Sequence, residues 1–129
     1  MAGEWNNSQP IYRQLRDMIV ALILDGVLAE GDALPSVRQV AAERRVNPLT
    51  VLKSYQQLVD EDLVEKRRGL GMFVRKGAPA AILRAERDRF LREEWPRIQE
   101  TIQRLDLDAG ELLDTAPRRQ PRPRVKGGR

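Results

Sequence analysis

Apolar positions along the chain recur mostly at helical spacing, with one short stretch of a different kind. Ile11, Leu15, Met18, Ile19, Leu22 and Ile23 repeat at three- and four-residue steps. They predict a helix from Pro10 to about Asp25, ended by Gly26, which accepts positive φ at little cost. Residues 27–33 then read as a connection with a turn at Gly31-Asp32. Ser36 is a good N-cap for a second, short helix that carries Val37, Val40 and Ala41 inward and ends near Arg44 or Arg45. A third helix opens with Asn47 as its cap and Pro48 at the first helical position, where a missing N–H costs nothing. Val51, Tyr55, Leu58 and Val59 form its apolar side. Thr50, Lys53, Ser54 and Gln57 are expected to point elsewhere, offering hydrogen-bonding groups, one cation and no carboxylate.

The period then changes. Leu63-Val64-Glu65-Lys66 and Met72-Phe73-Val74-Arg75 predict two strands. Between them Arg67-Arg68-Gly69-Leu70-Gly71 reads as a tight basic hairpin whose glycines let backbone approach another surface. Gly77-Ala78-Pro79 is a short linker, and helical sequence resumes at Pro79 or Ala80 with Leu83, Phe90 and Leu91 on one side. Leu91, Trp95, Ile98, Ile102 and Leu105 follow at heptad-like steps. Pro96 interrupts them and predicts a break or kink near Trp95. Asp108 can cap a last short helix with Leu112 and Leu113 buried.

Two helices joined by Arg45, Val46 and Asn47 are a helix-turn-helix candidate, a spacing that generic helix hairpins share. The basic hairpin that follows at once turns the pattern into a winged helix. The expected fold is mainly α, an α+β winged helix-turn-helix over residues 9–77. A short helical segment follows over residues 78–115, and a disordered basic tail over residues 116–129. The helical segment is too small to build its own core. Its seam must cover a second copy, the winged helix, or both; a homodimer through Leu91, Trp95, Ile98, Ile102 and Leu105 explains it best. Trp5 is expected to pack on the domain.

Composition narrows the chemistry. The chain has 129 residues, 33% charged and 5% aromatic, so its core must be aliphatic. It has no cysteine and no histidine. Disulfides, thiolate metal sites and the usual general base are thereby excluded, and no nucleophile–base constellation stands out. No metal or cofactor is expected, nor an enzyme. The start shows no signal peptide and no apolar run approaches a membrane span, so a cytoplasmic protein is expected. Charge is unevenly spread: residues 1–33 and 77–116 each carry net −3, whereas residues 34–76 carry +4 and residues 117–129 carry +6. Positive charge therefore sits around the third helix and in the tail, where a polyanion would meet it. The hairpin arginines suit phosphates or a minor groove, and the tail is either an electrostatic grip on DNA or merely solvated.

The stretch from Leu34 to Val74 resembles the DNA-binding domain of the GntR family of bacterial transcription regulators. The matching residues are Leu34-Pro35-Ser36-Val37-Arg38, Val40-Ala41, Val46-Asn47-Pro48-Leu49-Thr50-Val51, Leu58, Leu63-Val64-Glu65 and Arg67-Arg68-Gly69-Leu70-Gly71-Met72-Phe73-Val74. Pro10-Ile11-Tyr12-Arg13-Gln14-Leu15 fits the family's first helix, and the short helical C-terminus looks like the YtrA-type subfamily. The resemblance implies a dimeric regulator of double-stranded DNA, usually a repressor acting on an operator, and in this subfamily often on transporter genes. It assigns DNA contacts to Ser36, Arg38, Asn47, Pro48, Thr50, Lys53, Arg67, Arg68, Gly69 and Gly71. An effector, if one exists, would sit near the C-terminal helices or the dimer interface. Leu49 departs from the family, where this position is often polar; leucine cannot hydrogen-bond a base edge but can touch a thymine methyl. The competing reading is a winged-helix module that binds protein without reading DNA sequence.

Overall fold

A computed structural model describes Trp5 and residues 7–115; residues 116–129, with the expected basic tail, lie outside the described residues. The elements are α1 (Ile11–Leu24), α2 (Val37–Arg44), α3 (Pro48–Asp60), β1 (Val64–Arg67), β2 (Gly71–Val74), α4 (Ala78–Arg89), a π-helical turn (Phe90–Glu94), α5 (Trp95–Arg104) and α6 (Ala109–Thr115). This is the mainly helical winged helix-turn-helix, followed by helices, that the pattern predicts.

The core lies where α1, α2, α3 and the hairpin meet. Leu15, Ile19 and Ile23 from α1 pack with Val51, Tyr55 and Leu58 from α3 and with Val64 and Val74 from the two strands. Trp5 packs on its edge. Val20 lies outside the predicted α1 stripe yet is buried, because α4 packs on that side of α1. Arg16 fastens the same corner. Its guanidinium binds the carboxylates of Glu61, at the end of α3, and of Asp17. Partial burial opposes the arginine's charge, but the two carboxylates outweigh it and raise its pKa.

The strands pair antiparallel, Val64 with Val74 through Arg67 with Gly71. The connection after α1 also joins the sheet. The Gly31 N–H donates to the Val74 carbonyl at 2.8 Å, Val74 N–H to the Asp32 carbonyl at 2.9 Å, and Leu34 N–H to the Met72 carbonyl at 2.8 Å. The stretch expected as a plain connection therefore covers one edge of the wing and leads directly into α2.

The core runs past Gly77, the expected end of the DNA-binding unit, because Ala78 and Ile82 are both buried in it. Helix α4 accordingly starts at Ala78, slightly before the expected Pro79 or Ala80. The Glu30 carboxylate accepts the Gly77 N–H at 2.6 Å and ties the start of α4 to the connection after α1.

Pro96 acts upstream of itself. It has no N–H to donate, and its ring would crowd the carbonyl four residues back. The helix answers by widening rather than breaking: the Trp95 N–H donates to the Phe90 carbonyl, five residues back. Trp95 keeps helical φ and ψ of −58° and −43°. The expected kink is thus a π-turn over Phe90–Glu94. Phe90 and Trp95 stack at its two ends with centroids 6.3 Å apart. Arg89 spans the turn, bonding Glu86 at 2.6 Å and Glu94 at 3.0 Å.

No described residue after Ile82 is buried. Leu112 and Leu113, expected to be buried, are 41% and 77% exposed. Asp108 does cap α6, accepting the Glu111 N–H at 3.2 Å. The cap signal and the burial expectation part company because a cap is local, whereas burial needs a partner surface that the single chain does not supply.

Candidate nucleic-acid interface

The helix-turn-helix is held by caps at both helix starts. Ser36 Oγ accepts the Gln39 N–H at 3.0 Å, and Asn47 Oδ1 accepts the Leu49 N–H at 2.8 Å. Arg45 closes α2 in the left-handed region at φ 56°, which swings the chain into α3 within the predicted three residues. The Tyr55 hydroxyl donates to the Pro35 carbonyl at 2.7 Å and locks α3 against the entry to α2. Burial pushes the Tyr55 hydroxyl up to about 12.

The exposed face of α3 is rotated from the expected one. Ser54 is fully buried, and its Oγ donates to the Val51 carbonyl at 2.7 Å inside its own helix. It faces the core because 51, 54, 55 and 58 are one helical stripe; serine's small hydroxyl is satisfied without water. Thr50 is half-buried, and the half-buried Gln57 donates to Glu61 at 2.9 Å. The solvent stripe instead runs Leu49, Leu52, Lys53, Gln56 and Asp60. Leu49 is 72% exposed and Leu52 44%. Gln56 donates to Asp60 at 3.1 Å. Lys53 is held in place: its Nζ lies 4.2 Å from the centre of the Tyr12 ring on α1. Leu52, Gln56 and Tyr12 were missed among the candidate residues. Counting three from Leu49 and then four more would have found Leu52 and Gln56; nothing local in the sequence pairs Tyr12 with Lys53.

The wing places its residues unequally. The Leu70 N–H donates to the Arg67 carbonyl at 2.9 Å, closing a turn in which Gly69 has φ 76°. Gly71 follows at φ 117°, a region that a side chain would strain. Arg68 and Leu70 are exposed at the tip. Arg67 is engaged along the hairpin, its Nε 2.9 Å from Glu65 and its guanidinium 4.2 Å from the centre of the Phe73 ring. Among the described residues Arg38 and Arg68 make no ion pair, so both are free for a phosphate. A groove of about 350 Å³ separates the wing from the start of α2, with Ser36, Lys66, Arg67 and Leu70 on its walls.

Among the described residues no cluster of acidic side chains could hold a metal, and no helix is long and apolar enough to cross a membrane. A groove of about 680 Å³ between α1 and α4 contains Arg16, Arg89 and Arg92. Arg16 and Arg89 are paired closely with carboxylates, and Arg92 lies 4.0 Å from Glu93.

A three-helix head with a capped, exposed second helix and a basic, glycine-turned hairpin is a winged-helix DNA-binding module. Residues 11–74 match the model of the bacterial regulatory proteins of the gntR family. The chain is 33% identical to the HTH-type transcriptional regulator YhcF of Bacillus subtilis over 114 residues, 88% of this chain and 93% of that protein. It is 33% identical to the HTH-type transcriptional repressor YtrA of the same organism over 103 residues, covering 80% of this chain and 73% of the relative. The crystal structure of a transcriptional regulator from Oenococcus oeni superposes with a TM-score of 0.66 at 31% identity, covering 86% of this chain and 90% of that one. The chain belongs to the GntR family. It is a DNA-binding transcriptional regulator and not an enzyme.

Proposed function

We propose that this chain is a homodimeric repressor of a two-fold symmetric operator, in the cytoplasm, controlling a transporter operon. Each protomer presents one α3 and one wing to a half-site, and the dimer sets the half-site spacing. Arg38 and Arg68 grip phosphates, Asn47 and Pro48 set the angle of α3, and Gly69 and Gly71 let the wing approach the minor groove. Ser36 contributes its cap and the backbone N–H groups at the start of α2. The observation that carries the dimer is the arm. Leu91, Ile98 and Leu105 are exposed and Trp95 and Ile102 are only half-buried on a helix whose other side is charged. Such a face marks a surface for another surface to cover. A winged helix that merely binds protein is the competing reading, and the unpaired Arg38 and Arg68 favour DNA over it.

Light scattering at micromolar concentration is expected to give a dimer, and Ile98→Asp a folded monomer. Titration against the promoter of the chain's own operon should give tighter binding than random duplex of equal length, weakened at least tenfold in Ile98→Asp. A monomeric parent chain would sink the dimer, and equal affinity for promoter and random duplex would sink operator reading.

A further inference from the structure

Two of the exposed positions on α3 are leucines, Leu49 at 72% and Leu52 at 44%. Leu49 and Leu52 lie three residues apart, on one face and in the first half of the helix, the half that enters the groove in this architecture. Neither can donate or accept a hydrogen bond. The hydrogen-bonding groups further along that stripe are partly engaged, Lys53 over Tyr12 and Gln56 with Asp60. A pair of exposed leucines on a helix that also exposes Lys53, in a module whose Arg38 and Arg68 are exposed, is out of place on a surface built for solvent alone. Facing a major groove it has one apolar counterpart, the C5-methyl of thymine.

We infer that Leu49 and Leu52 read thymine methyl groups, so that each half-site carries two thymines on neighbouring base pairs where hydrogen-bonding readers would select other bases. Three helical residues advance about 4.5 Å, close to the base-pair step of about 3.4 Å, so the two side chains reach successive steps. The phosphate contacts hold register, and the leucines discriminate through the area they bury. This deepens the operator reading above and rests on it.

The test begins with selection of duplexes from a random pool by the full-length chain, followed by replacement of each thymine in turn with deoxyuridine, which removes only the methyl. Two neighbouring thymines per half-site are expected to be sensitive, each losing about fourfold in affinity, the worth of one buried methyl-sized group. In Leu49→Ala one of these two penalties should vanish, and in Leu52→Ala the other. Lys53→Ala should keep both. Both leucines are exposed, so the alanine variants should retain the parent's circular dichroism. Insensitivity of every thymine, or penalties that persist in both leucine variants, overturns the methyl contact while leaving operator binding intact. A pool that yields no enriched sequence removes operator reading itself, and the methyl contact with it.

Discussion

The two regions of the chain put their apolar residues to opposite ends. From Trp5 to Ile82, leucine, isoleucine and valine meet across α1, α3, the hairpin and the start of α4, and fifteen apolar residues are buried. From Leu83 to Thr115 none of the apolar residues is buried. The head is therefore stabilised by its own packing, whereas the arm is stabilised locally, by a π-turn, an Arg89 bridge and an Asp108 cap. A head that is complete alone can keep its DNA-facing side fixed. In the dimer proposed above, a second copy completes the arm and joins two heads at one spacing.

The strongest way to break this contrast is to delete apolar groups from each half. Leu58→Ala should cost about 3 kcal/mol of unfolding free energy, read from the urea midpoint by circular dichroism. Ile98→Ala, assayed in dilute protein, should cost no more than about 0.5 kcal/mol. Equal losses would show the arm to be part of the folded head. A smaller effect comes from Tyr55→Phe, which removes the bond to Pro35 and should cost about 1 kcal/mol near neutral pH. The buried tyrosine ionises at about 12 rather than its ordinary 10. Its contribution is complete below pH 10 and is lost as pH rises from 10 toward 12, since the unfolded chain ionises first. The phenylalanine variant should therefore show a flatter alkaline loss of stability than the parent. The finest comparison sets two caps side by side. Ser36→Ala should lower global stability by about 1 kcal/mol, because α2 is locked into the core. Asp108→Ala should fray α6 and leave the urea midpoint unchanged.

The head was legible because its signals are local and redundant. Stripes at helical spacing, Ser36 and Asn47 at helix starts, and two glycines in the wing each specify backbone geometry from neighbouring residues. The candidate site was legible in part for the same reason. Ser36, Asn47, Gly69 and Gly71 stand where their backbone roles require. The orientation of side chains was less so. Ser54 looks like a surface residue by type, yet periodicity with Val51, Tyr55 and Leu58 turns it inward. Leu52 looks like a core residue by type and faces outward. Position on the helix outweighs chemical class when one hydroxyl can bond its own backbone.

The sequence by itself determined the capped helix-turn-helix and the basic wing, which follow from contacts a few residues apart, and its motifs carried the resemblance to the family. Only the tertiary structure decided that Tyr12 holds Lys53, that Arg67 lies along Phe73 and Glu65 rather than at the tip, and that residues 31–34 extend the wing. It also decided that Ala78 and Ile82 belong to the head and that Pro96 widens the helix instead of ending it. Each of these depends on which surfaces meet in space, or on how a continuous helix redistributes a lost hydrogen bond, and neither is written in the spacing of residues along the chain.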